Sequence, residues 1–165
     1  EFPPYKPGLL LNPDHIKNIK IVQGTEKPFR VMTFGKSKLA AKFSLPYSLA
    51  VFIATGSAGT DSYSEELLGN TQIRSLGDRI KLEVDPALSE NAWAARIYIE
   101  LKDGQVLTGE SSNIYGRSEN PSNASDLYNK FCVLTKGVFS DSSMNEMWNT
   151  LTNLEKQNNI RDIFN

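Results

Sequence analysis

Residues 38–56, KLAAKFSLPYSLAVFIATG, decide how the rest of this chain is organised. Their second half, Leu49-Ala50-Val51-Phe52-Ile53-Ala54, has no polar face at helical or strand spacing, so other elements must cover it on most sides. Burying Leu49, Val51, Phe52 and Ile53 contributes on the order of 6–12 kcal/mol before entropy is counted. Ser44 stands where an N-cap is needed, Pro46 falls in the first turn where a missing N–H does no harm, and Gly56 supplies the stop. These signals predict a central helix near 45–55. A strand is the weaker reading, because Pro46 and the alanines disfavour a central strand.

Such a helix carries Tyr47 in its first turn, where backbone N–H groups and the positive end of the dipole favour an anion. Lys36, Lys38 and Lys42 lie close by in sequence. Two readings stay open. Tyr47 is either a core tyrosine whose hydroxyl finds one hydrogen bond, or a phenol at the rim of a site for a carboxylate-bearing molecule, with Lys42 as a second binding residue. Burial of Tyr47 deep in the interior would count against the second and against the functional account built on it.

At 165 residues, 39% hydrophobic and 22% charged, the chain fits one globular domain with a real core. No apolar run approaches the length of a membrane span, and the first residues lack the layout of a signal peptide. A cytoplasmic protein with no membrane partner is expected. The single cysteine, Cys132, cannot form a disulfide within the chain. Asn123-Ala124-Ser125 matches a glycosylation sequon and, without a secretion signal, reads as chance. A net charge of -1 argues against non-specific nucleic-acid binding. Charge is nevertheless uneven, +5 over residues 1–42 and -6 over the remainder, which suits an anionic ligand near Tyr47 or simply a solvated surface.

Four prolines among residues 1–13 mark an extended lead-in or cloning scar, leaving 14–165 as the domain. Strands are predicted near 16–23, 80–85, 95–102 and 105–111, where apolar and polar residues alternate. Asp103-Gly104 reads as a two-residue hairpin turn, which puts Leu101 opposite Val106 and Ile99 opposite Thr108. A short extended piece is expected at Phe29–Phe34, and Ile160, Ile163 and Phe164 read as a docking tail. Besides the central helix, helices are predicted near 62–69, 71–79, 124–137 and 143–157. The first and last open on apparent capping boxes, Ser62–Glu65 and Ser143–Glu146, and Asn70 caps the second. In the two final helices, Leu127, Phe131, Leu134 and Val138 follow helical spacing, and Met144, Met147, Trp148, Leu151 and Leu154 form a stripe that reads as packed core rather than a ligand pocket. The expected class is α+β, a two-layer sandwich of a mostly antiparallel sheet against helices.

Motifs for chemistry are sparse. Gly56-Ser57-Ala58-Gly59 lacks the lysine and the context of a phosphate loop. His15, the only histidine, sits at a strand entry without a second ligand at metal spacing and without partners for a triad.

The series AKFSLPYSLAVFIATG, RIKLEVDPAL, ARIYIELKDGQVLTGE, YGRSENP and a helix ending in NKF resembles the C-terminal domain of MmgE/PrpD proteins, in order and spacing, over roughly Pro13 to Phe164. That family includes 2-methylcitrate dehydratase, cis-aconitate decarboxylase and iminodisuccinate epimerase. Its members join a large helical domain to this smaller α+β lid and move protons or CO2 beside carboxylates without a metal. The resemblance implies that Tyr47 faces the substrate cleft as a catalytic residue, and that neither metal nor other cofactor is needed. The family's lysine and histidine ahead of the first lid strand have no counterpart here, so no role passes to Lys6 or His15; none is carried to Ser44 or Arg117.

The expected function is the lid of an MmgE/PrpD-type lyase or isomerase acting on di- or tricarboxylates, inactive alone and completed by a helical domain. Two alternatives are kept, a non-catalytic binding or assembly module covered by self-association as a homo-oligomer or by another protein, and a small carboxylate-binding protein.

Overall fold

A computed structural model describes residues 11–24, 37–88, 94–112, 114–157 and 159. The pieces expected at Phe29–Phe34 and at Ile160–Phe164 lie outside the described residues. The chain divides into two compact units, Glu1–Ile114 and Tyr115–Asn165.

The first unit is built on four strands, β1 (Ile16–Gln23), β2 (Ile80–Val84), β3 (Ala95–Leu101) and β4 (Val106–Ser111), in the order β2-β1-β3-β4. The α+β class and the four strands are those the sequence predicts. Two of the three pairings are antiparallel, β1 with β3 and β3 with β4, whereas β1 and β2 run parallel. A parallel pair needs a long crossover. Here it runs through α1 (Lys38–Lys42), α2 (Leu45–Thr55), α3 (Glu65–Gly69) and α4 (Thr71–Gly77).

Alternation alone does not explain how β1 buries its isoleucines, because Ile16 and Ile19 are an odd number of residues apart. A bulge resolves this. Ile16 lies opposite Leu101 and Asn18 opposite Glu100, so Lys17 is the extra residue, and Ile16, Ile19 and Ile21 all face inward. Lys17 and Asn18 both turn outward, and each donates to the Glu100 carboxylate, at 2.7 and 3.3 Å. The outer face carries further cross-strand ion pairs, Lys20–Glu83 and Arg96–Glu110, exposed enough to add little stability.

The inner face packs on helices. Ile16, Ile19, Ile21, Ile80 and Ile99 join Tyr47, Ala50, Val51 and Ile53 of α2 and Ile73 and Leu76 of α4 in one core. α2 is capped as its sequence predicts. Ser44 Oγ accepts from the Tyr47 N–H, Pro46 occupies the first turn, and Gly56 closes the helix at φ 75°. Phe52 alone of the large α2 residues remains substantially exposed, at 37%.

The hairpin departs from the expected register. Gly104 is the only turn residue with positive φ, at 90°, whereas a two-residue turn on Asp103-Gly104 needs both. The loop is therefore three residues long. Gly104 N–H donates to the Leu101 carbonyl, Asp103 Oδ1 accepts from Gln105 N–H, and Leu101 N–H donates to the Gln105 carbonyl. Ile99 faces Leu107 and Glu100 faces Val106, one step from the predicted pairing. That step sends Leu107 to the core and leaves Val106 outside at 52% exposure.

The second unit pairs α5 (Ala124–Thr135) with α6 (Asp141–Leu151). α6 begins earlier than predicted because Ser140, not Ser143, is its cap, its Oγ accepting from Ser143 N–H. α3 likewise starts on Ser64 rather than Ser62. Trp148 packs against Tyr128 and Phe131, with ring centroids 5.2 and 5.5 Å apart, and Met144 is buried. The remainder of the two stripes is less covered than a core demands, with Leu127, Leu134, Val138, Leu151 and Leu154 exposed.

Because Ser44 caps α2 inside the core, Ser44→Ala is expected to cost about 1–2 kcal/mol. Urea denaturation of the two proteins checks this, with a lower midpoint and an unchanged slope expected.

Candidate functional site

The sequence singles out Tyr47 and Lys42, and both lie where α1 meets α2. α1 ends at Lys42, Phe43 turns the chain, and Ser44 opens the next helix. Lys42 is exposed, as are Leu39 and Phe43 beside it.

Tyr47 is not exposed at all. Its ring is among the largest fully buried side chains, and its hydroxyl donates to the Ser62 carbonyl at 2.5 Å. The acceptor is held in place from the other side, because Ser62 Oγ donates to the Ser57 carbonyl at 3.0 Å. Ser62 points inward here rather than capping a helix, which is why α3 takes Ser64 as its cap. Burial raises the pKa of the Tyr47 phenol above its ordinary 10.0, and the neighbouring Tyr63 adds to the shift. Of the two readings open for Tyr47, this geometry describes the core tyrosine with a satisfied hydroxyl.

Tyr63 sits over it. It ends the 3-10 turn Thr60–Tyr63, its ring centroid is 5.7 Å from that of Tyr47, and it is half-buried. Its hydroxyl approaches Ser48 Oγ, one residue beyond Tyr47 on α2, at 3.5 Å. The Lys42 ammonium lies 5.9 Å from the Tyr63 ring centroid, at the outer limit of a cation–π contact. Lys42 thus meets Tyr63, and Tyr63 lies against Tyr47. Sequence reading missed Tyr63 and Ser48. The sequence signal at Tyr63 was absorbed by the apparent capping box, and Ser48 reads as one more small helix residue. Lys38 is engaged elsewhere, 3.5 Å from Glu65, and Lys36 lies outside the described residues.

Other candidates stand apart from this cluster. His15 is exposed at the entry to β1, where with Leu101, Lys102 and Asp103 it borders an open depression of about 240 Å³. Among the described residues no group of three or more His, Cys, Asp or Glu side chains could hold a metal ion. None of the described helices is long and apolar enough to cross a membrane. The sequon asparagine, Asn123, caps α5, with Oδ1 accepting from Asp126 N–H and Nδ2 donating to Asp126 Oδ2.

Residues 8–156 match the family model of the MmgE/PrpD C-terminal domain. The chain belongs to the MmgE/PrpD family. It is 29% identical over 152 residues to a cis-aconitate decarboxylase of Homo sapiens, covering 88% of this chain and 31% of that protein. It is 28% identical over 155 residues to the cis-aconitate decarboxylase of Mus musculus, covering 90% of this chain and 30% of that protein. The chain therefore spans about a third of the length of these relatives. Membership in the family rests on this match along the chain and not on the placement of Tyr47.

Removing the buried hydroxyl leaves the Ser62 carbonyl without the Tyr47 donor, so Tyr47→Phe is expected to destabilise by about 1–2 kcal/mol at neutral pH. The raised phenol pKa adds a pH signature. Its stabilising contribution is complete below the unfolded value of 10.0 and is lost as pH rises above it toward the folded value, since the unfolded chain releases the proton first. Thermal melts of both proteins across that alkaline range check this, with the gap between them narrowing as pH rises.

Proposed function

We propose that this chain serves as the lid of an MmgE/PrpD-type lyase or isomerase acting on di- or tricarboxylates, and that it is inactive by itself. The observation that carries the reading is the family match over residues 8–156, made to relatives of which this chain spans only about a third. The relatives are cis-aconitate decarboxylases, which makes cis-aconitate a fitting first substrate to try, with 2-methylcitrate, an acid handled within the family, as the second.

The local chemistry agrees with a supporting part. Proton transfer beside a carboxylate needs a base or acid within hydrogen-bond reach of the reacting carbon, and a cation or donor set for the carboxylates. The cluster around Lys42 offers a cation and hydroxyls. The acid and base would come from a helical domain docked against the lid, the arrangement that the family resemblance implies. Exposed Leu39 and Phe43, on either side of Lys42 in the same segment, are suited to lie under such a domain.

The purified chain is expected to consume neither cis-aconitate nor 2-methylcitrate, as followed by ultraviolet absorbance and by chromatography of the products. Turnover at enzyme-like rates by this chain alone would overturn the reading of an incomplete lid.

A further inference from the structure

We propose that carboxylate recognition on this lid passes through Tyr63 and Lys42, with Ser48 beside them, and that Tyr47 supports Tyr63 from below without touching the ligand. The inference rests on the carboxylate-lid reading above and assigns its contact residues.

Three observations carry it. First, the Tyr47 hydroxyl is fully buried and donates to the Ser62 carbonyl, so a ligand could reach it only by displacing a bond that holds the 3-10 turn to α2. Second, Tyr63 is half-buried, with its ring resting on Tyr47 and its hydroxyl brought to Ser48, so a phenol and an alcohol meet at the part-exposed end of the stack. Third, the exposed Lys42 ammonium lies 5.9 Å from the centroid of that same ring, which brings a full positive charge to the side chain that bears one of the two hydroxyls. An ammonium and two hydroxyls are the donor set a carboxylate takes, and their strongest bond would be the charge-assisted one to Lys42. The three side chains come from three elements, α1, α2 and the 3-10 turn, the last tied to α2 by the Tyr47 hydroxyl.

The neighbouring Lys38 gives an internal control. It is on the same helix and carries the same charge, but it lies beside Glu65. General attraction of anions to the lysine-rich segment would involve Lys38 and Lys42 alike, whereas the cluster involves only Lys42.

The test is titration of the full chain with cis-aconitate and, as a monocarboxylate comparison, acetate, followed by amide and tyrosine-ring NMR shifts. The expected result is cis-aconitate binding in the millimolar range with shifts centred on Ser48 and Tyr63. Lys42→Ala should weaken it about tenfold, the size of one charge-assisted contact. Tyr63→Phe, which keeps the ring on Tyr47 and under Lys42, should weaken it severalfold with the fold retained. Lys38→Ala should leave affinity within about twofold, a difference well below one hydrogen bond, and Tyr47→Phe, which removes no ligand contact, should weaken binding less than Tyr63→Phe does. Equal weakening by Lys38→Ala and Lys42→Ala, or loss of binding in Tyr47→Phe but not Tyr63→Phe, would overturn the assignment while leaving the lid reading in place. Absence of any cis-aconitate binding would also overturn it, and the turnover assay above decides the lid reading separately.

Discussion

Helix α2 has no side that can face water throughout, and the structure is arranged to cover it. The isoleucines of β1 lie against one side and α4 against another, and the turn Thr60–Tyr63 is fastened over its first turns by the hydrogen bond from Tyr47 to Ser62. That bond does two things at once. It satisfies a phenol that burial would otherwise leave costly, and it fixes where Tyr63, the next residue along, must stand. The outward-facing chemistry of this end of the molecule is thus a consequence of the inward-facing packing.

The family assignment and the site assignment have different foundations. The first is a match along nearly the whole chain, from 8 to 156, and depends on no one residue. The second is a matter of which atoms are reachable. The resemblance implies a substrate-facing Tyr47, and the geometry of this chain gives that residue a buried, bonded hydroxyl. The two are compatible if the lid contacts its ligand through the residue stacked on Tyr47. Family likeness then locates the right end of α2 and the packing selects the side chain.

Much of this fold was legible in the sequence because it is locally encoded. Ser44, Pro46 and Gly56 announce both ends of α2, Asn70 caps α4, and the alternation in β2 and β3 shows through the text. What escaped was set by partners distant in the chain or by a one-residue choice among equals. The bulge at Lys17 exists because Ile16 must face the same core as Ile19, a demand made by helices far along the chain. The hairpin register turned on whether Asp103 would adopt positive φ, and a single Gly104 in that conformation shifts every side chain of β4 by one place. Ser140 and Ser143, like Ser62 and Ser64, are equivalent caps on paper, and the helices start on Ser140 and Ser64. Tyr63 was hidden because its importance lies in what it stacks on.

The measurement closest to the central claim is chemical modification of the tyrosines in the folded chain with tetranitromethane, read residue by residue by mass spectrometry. Tyr115, 52% exposed, should react readily, Tyr63 more slowly, and Tyr47 only when the protein is unfolded. Nitration of Tyr47 in the native state at the rate of Tyr115, with Tyr63 protected, would contradict the account, because it would put the outward phenol on α2 and the support on the turn.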